Sequence, residues 1–262
     1  MQFRTAVIPF FSICVVSGWI AGKADAQTTQ PATQPAVVEP ADQPAVKRDA
    51  KTGQPNPRFT QLHDAFLWRG KEAPIGLLFI GDSVTEGWIH SRNQAPGVWK
   101  QHYWQYNPAD FGIGGDRTQH VLWRIDHGEL DGISPKVVVL MIGTNNIGNT
   151  AEEITAADEK IVAEIHEKLP DAKLLLLGIF PRGADPKEPK VADMREKIKQ
   201  VNSELAKLDD GNKTRYLDIG DKFLDGDGVI QKDIMSDALH PTAKGYHIWA
   251  DAMQPLLDEM MK

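Results

Sequence analysis

Four short clusters in this chain hold the residue types that acyl transfer requires: a hydroxyl nucleophile, an imidazole base, a carboxylate to orient it, and donors for an oxyanion. Ser83 stands in Gly81-Asp82-Ser83-Val84-Thr85, directly after the apolar run Gly76 to Ile80. A serine at such a junction sits at the mouth of a site, and the amides of a following helix would favour developing negative charge there. The same serine would also serve as a plain helix N-cap, so these residues alone leave both readings open. The spacing is not Gly-x-Ser-x-Gly, since residue 85 is Thr. A serine hydroxyl needs a base, and the base an orienting group. Of the eight histidines, His240 is set apart by its context, Asp237-Ala-Leu-His240-Pro241. An Asp three residues ahead in a loop can turn its carboxylate to the imidazole, fixing the tautomer and stabilising the imidazolium. The plainer alternative is a capping Asp beside an incidental His. His120, His127 and His166 suit packing or surface roles. Two loops offer donors: Phe111-Gly-Ile-Gly-Gly115-Asp116, whose glycines let backbone amides approach a ligand, and Ile142-Gly-Thr-Asn145-Asn146, which carries side-chain amides. Each also reads as an ordinary turn. Val84 beside the serine and Leu239 beside the histidine put branched apolar groups near an acyl chain, which favours a short one.

These clusters fall at the ends of predicted strands. Strands are expected at Gly76–Ile80, near Ala109–Phe111, and at Lys136–Ile142, Ala172–Ile179 and Thr214–Ile219. The third and fourth are apolar on both faces, as buried parallel strands are. Thr150-x-x-Glu153 is a capping box, and Ile154, Ala157, Ile161 and Ile165 follow at helical spacing up to Pro170. Val191, Met194, Ile198, Val201 and Leu205 mark a second helix. A last one runs from about Thr242, and Pro255 should kink or break it. Strands alternating with such helices imply α/β architecture with a parallel sheet between helix layers, and ligands in such sheets lie beyond the carboxyl ends of the strands.

The 262 residues carry 29 Lys and Arg against 36 Asp and Glu, a net charge of −7, which speaks against a nucleic-acid partner. The single cysteine, Cys14, excludes a disulfide scaffold and any multi-thiolate zinc site. Residues 1–26 have a cationic start, an apolar run and Ala24-Asp25-Ala26, the pattern of a signal peptide, so the chain is expected to be exported to the periplasm or the extracellular space with no membrane span after cleavage. Residues 27–57, rich in Pro, Gln and Ala without an aromatic, read as a linker, leaving one folded domain at 58–262. Asp225-Gly-Asp227-Gly228 lacks the later acidic ligand of a calcium loop and reads as a turn. Neither a metal nor a cofactor is expected.

Taken in order, GDS (81–83), the glycine of GIGGD (115), GTNN (143–146) and DxxHP (237–241) resemble the four signature blocks of the SGNH, or GDSL-type, hydrolases. FGIGGDRTQHVLWRI and VVVLMIGTNN resemble the branch of the platelet-activating-factor acetylhydrolase catalytic subunits. The resemblance runs from about Leu77 to the C-terminus. It implies a flavodoxin-like, three-layer α/β/α fold with five parallel strands. It also implies Ser83 as nucleophile, His240 as base and Asp237 as its partner, with the Ser83 and Gly115 amides and the Asn145 side chain forming an oxyanion hole. Val84 departs from the Leu of the family name, which should alter the acyl pocket. Asn146 replaces the Asp of many members, in keeping with the acetylhydrolase branch. The expected activity is hydrolysis of short-chain, first of all acetyl, esters of carbohydrates or other small molecules. A lysophospholipase or thioesterase with the same triad, or a non-catalytic binding domain on this fold, are the alternatives. Trp88, Trp99, Trp104 and Trp123 offer sugar-stacking faces or core packing.

Overall fold

The structure, a computed structural model, describes residues 38–90 and 95–262. The expected signal peptide and the first part of the expected linker lie outside the described residues. Five strands, β1 (Leu77–Gly81), β2 (Pro108–Gly112), β3 (Val137–Met141), β4 (Lys173–Leu177) and β5 (Thr214–Leu217), form one sheet in the order β2-β1-β3-β4-β5. Every pairing is parallel. Alternate residues face opposite layers. Leu78, Ile80, Val138, Leu140, Leu174 and Leu176 pack on one side with α1 (Pro57–Glu72), α4 (Thr118–Asp126), α5 (Ala151–Lys168) and α6 (Pro189–Leu205). Leu77, Phe79, Val137, Val139, Leu175 and Leu177 pack on the other with α3 (Ala95–Tyr103) and α7 (Ala243–Met260). This two-sided burial makes the strands continuous apolar runs rather than alternating ones. It is the expected three-layer sandwich.

Local signals set the helix ends. Thr150 and Glu153 close the capping box on α5, Pro57 and Pro189 occupy first-turn positions, and the Thr242 side chain caps α7. Pro255 does not break α7, which continues to Met260. The lost amide bond is outweighed by burial of Met253, Leu257 and Met260 on either side of it.

The linker expectation is corrected for residues 38–56, which pack on the domain. Ala41 is buried, and its carbonyl accepts from the Thr118 hydroxyl at 2.8 Å. The Ala45 amide donates to the Gln119 carbonyl at 3.0 Å, and Lys160 donates to the Asp42 carbonyl at 3.1 Å. A Pro- and Gln-rich segment has no apolar face of its own, but its backbone polar groups are met by side chains and carbonyls of α4 and α5. The compact unit therefore includes these residues and spans Val38–Lys262.

Candidate active site

β1 ends at Gly81 and the chain turns at once into α2, the four residues Ser83–Glu86. Asp82, not Ser83, is the cap: its Oδ1 accepts from the Val84 amide at 2.9 Å, which frees the Ser83 hydroxyl. A Cβ on Gly112 at the end of β2 would lie 2.3 Å from the Glu86 amide nitrogen, so α2 can sit on β2 only over a glycine.

Ser83 Oγ lies 2.8 Å from His240 Nε2, and His240 Nδ1 lies 2.7 Å from Asp237 Oδ2. A carboxylate can only accept, so Nδ1 carries the ring proton and Nε2 faces the hydroxyl as an acceptor. Asp237 Oδ1 accepts from the amides of His240 and Leu239 at 2.8 and 3.1 Å. The loop folds back this tightly because Ala238 takes a left-handed conformation, φ 56°. Burial raises the Asp237 pKa, but bonds from the His240 amide and ring prevail and hold it below the ordinary value, so the carboxylate stays ionised. The Tyr246 hydroxyl, from α7, donates to the Val84 carbonyl at 2.7 Å and ties the histidine-bearing end of the chain to α2.

Asn145, expected with Gly115 to serve the oxyanion, reaches the chain neighbours of both Ser83 and Gly115. Asn145 Nδ2 donates to the Asp116 carbonyl at 2.8 Å and lies 3.4 Å from Asp82 Oδ2. The neighbouring Gly114 comes close enough that a Cβ there would sit 3.7 Å from Ser83 Cβ. Gly115 has φ 76°, which a side chain would strain. The amides of Ser83 and Gly115 meet no protein acceptor among the described residues. Asn146, in contrast, is buried in structural work, accepting from the Thr118 amide and donating to Gln119.

Several charged residues that sequence reasoning passed over support this site. Arg124 is fully buried and bonds Asp116 Oδ2 at 3.1 Å, Glu129, and the Gly81 carbonyl at 3.4 Å. Burial raises the Asp116 pKa to about 6 against the opposing charges of Arg124 and Lys47. Burial also raises that of Asp82 to about 7, opposed by the Val84 amide and reinforced by Asp116. Glu86 accepts from the Gly114 amide at 2.7 Å, from His90 at 2.9 Å and from Arg58. Burial raises its pKa, yet the bonds from His90 and Arg58 bring it below the ordinary value. The spacing of Glu86 and His90 was the one sequence signal for this cluster.

One hollow is lined by Ser83 itself and a second by its chain neighbours Asp82 and Val84. The first is a polar cleft of about 590 Å³ lined by Ser83, His240, Asp237, Arg58, Glu86, His90, Gly114 and Ser236. The other is a small apolar recess of about 10 Å³, the room of a single water, where Val84 and Leu239 meet Met141, Ile142, Ile179 and Phe180. None of the four tryptophans lines the cleft. Trp88 and Trp99 are buried, Trp123 packs on Phe59, His63 and His127, and the exposed Trp104 precedes β2 at the far end of the sheet. Asp225 Oδ1 accepts from the Asp227 and Val229 amides, a turn as expected. Among the described residues no three His, Cys, Asp or Glu side chains are gathered as a metal ion would need.

A parallel five-stranded sheet, with a serine after its first strand facing a histidine from the loop before its last helix, defines the SGNH hydrolase fold. Solved structures share it. A GDSL-like lipase from Bacteroides thetaiotaomicron superposes with TM-score 0.61 at 20% identity, covering 75% of this chain and 97% of the other. An acetylxylan esterase from Geobacillus stearothermophilus gives 0.51 at 19%, covering 72% and 96%. At those identities the likeness speaks for the fold. The sequence goes further: residues 79–248 match the GDSL-like lipase/acylhydrolase family. The chain is 37% identical over 219 residues to platelet-activating factor acetylhydrolase IB subunit alpha1 of Homo sapiens, covering 83% of this chain and 89% of that protein. It is 36% identical to subunit alpha2 of Rattus norvegicus, covering 83% and 90%. The chain belongs to the GDSL-like lipase/acylhydrolase family, a family of esterases and acylhydrolases.

Proposed function

We propose that this protein is an exported serine esterase that removes short acyl groups, acetyl first, from O-esters of carbohydrates. The observation that carries the reading is the unbroken line Ser83–His240–Asp237, with contacts of 2.8 and 2.7 Å. Ser83 Oγ attacks the ester carbonyl carbon while its proton passes to His240 Nε2. The carbonyl oxygen becomes an oxyanion held by the amides of Ser83 and Gly115 and the side chain of Asn145. Collapse of the intermediate expels the alcohol, which takes the proton from His240. Water then repeats the sequence on the acyl-serine, releasing the acid and restoring the hydroxyl. Asp237 keeps the imidazole in the correct tautomer and balances its charge throughout.

The recess bounded by Val84 and Leu239 supports a short acyl group. The polar walls of the open cleft suit a hydroxyl-rich alcohol better than an alkyl chain. The acetylhydrolase and acetylxylan esterase named among the relatives agree in acyl group. Export rests on the character of residues 1–26.

The test is a fluorophosphonate label followed by peptide mass spectrometry, with rates on p-nitrophenyl esters of rising chain length, acetylated xylan and lysophosphatidylcholine. The label should fall on Ser83 and abolish activity, and rates should peak at acetyl or propionyl and fall beyond butyryl. A maximum at octanoyl or longer would replace this reading with a lysophospholipase. A label elsewhere, with activity intact, would remove Ser83.

A further inference from the structure

We infer that Lys47, carried by the segment that precedes α1, is a positioning residue for the oxyanion site. The inference rests on the proposed role of Gly115. Lys47 Nζ donates to the Gly114 carbonyl and lies 3.4 Å from Asp116 Oδ1. A Cβ on Gly115 would come within 3.1 Å of the same nitrogen. The Gly114 carbonyl and the Gly115 amide belong to one planar peptide unit, in which a trans bond points C=O and N–H in opposite directions. A donor fixed on the oxygen therefore aims the N–H away from Lys47. An ammonium on that oxygen also draws charge through the peptide and makes the N–H a stronger donor, as hydrogen bonds in series polarise one another.

The second donor is braced from the same place. Asn145 Nδ2 bonds the carbonyl of Asp116, whose carboxylate faces Lys47. Lys47 is itself pinned, since its carbonyl accepts from the Asn56 amide at 2.8 Å and its side chain is only 18% exposed. With Gly114 O and Asp116 as its acceptors, the ammonium is committed to this loop. Residues 38–56 thus complete the site as well as cover the domain.

The experiment measures kcat and KM on p-nitrophenyl acetate per titrated active site, inhibition by phenylboronic acid, and Tm, for Lys47→Met, Lys47→Arg, Lys160→Met and Ser83→Ala. Phenylboronic acid adds a serine to form a tetrahedral anion, so its affinity reads the oxyanion donors without turnover. Lys47→Met should lower kcat by about tenfold or more with KM nearly unchanged, and weaken the boronate by a similar factor, as loss of oxyanion stabilisation does. Lys47→Arg, which keeps a cationic donor, should recover most of both. Lys160→Met frees the same segment at Asp42 without touching the loop, and should keep normal kcat and boronate affinity. Normal kcat in Lys47→Met, or an equal loss in Lys160→Met, overturns the inference and leaves the esterase reading standing. Full turnover in Ser83→Ala overturns both.

Discussion

Asn145 and Asp82 share a contact at 3.4 Å but answer to different experiments. As an oxyanion donor, Asn145 should be felt in the transition state more than in the ground state. Asn145→Ala is therefore expected to lower kcat about a hundredfold with little change in KM. A loss of Tm with normal kcat per titrated site would instead make it a turn residue. Asp82 is a matter of stability. Burial raises its folded pKa from 3.8 to about 7. Below 3.8 both states are protonated, so stability is at its full value and this group gives it no slope with pH. Between the two values the unfolded chain releases the proton while the folded chain keeps it, so stability falls as pH rises, and above about 7 the loss is complete. His120 slopes the other way, since burial presses its pKa down to about 3. That group is the same in Asp82→Asn, so its slope cancels in the difference between the two proteins. Urea titrations from pH 4 to 8 should show the variant gaining on the parent as pH rises, and a constant difference would contradict the assignment.

The elements that place Ser83 depend on close backbone contact and one buried cation. Gly112→Ala would drive a methyl into the Glu86 amide and the Asp82 carbonyl. It should cost about 1–3 kcal/mol and lower kcat by tilting α2, read by urea unfolding and kinetics on one preparation. Arg124→Met leaves the buried carboxylates of Asp116 and Glu129 facing each other, a loss of about 3–5 kcal/mol by thermal and chemical unfolding. These features differ in how far the sequence disclosed them. The strands were legible because burial on both faces leaves uninterrupted Val and Leu runs, and α5 because Thr150 and Glu153 sit at capping spacing. Ser83, His240 and Asp237 were legible through blocks that need only a few residues each. Arg124 was not, because an arginine in Val-Leu-Trp-Arg-Ile looks like the solvent face of a helix until Asp116 and Glu129 are seen around it. Pro255 does not break α7, because the burial of Leu257 and Met260 beyond it outweighs the local backbone cost.

At the scale of the whole molecule, residues 38–56 escaped notice because their partners, Thr118, Gln119 and Lys160, are remote in sequence. A chain beginning at residue 58 should melt below one beginning at residue 38, with Thr118 and Gln119 uncovered; equal Tm values would return this segment to a linker. The distance along the chain between Ser83 and His240, 157 positions, has a kinetic consequence. The sheet can form before the last helix docks, but Ser83 and His240 do not meet until that helix delivers its loop. Trp249 of α7 packs tilted against Trp88, ring centroids 4.9 Å apart, in the same step. During refolding from urea, esterase activity should therefore return with the change in tryptophan fluorescence and trail the far-ultraviolet dichroism. On the proposed reading, a chain still being synthesised stays inert toward esters until the segment through α7 has emerged.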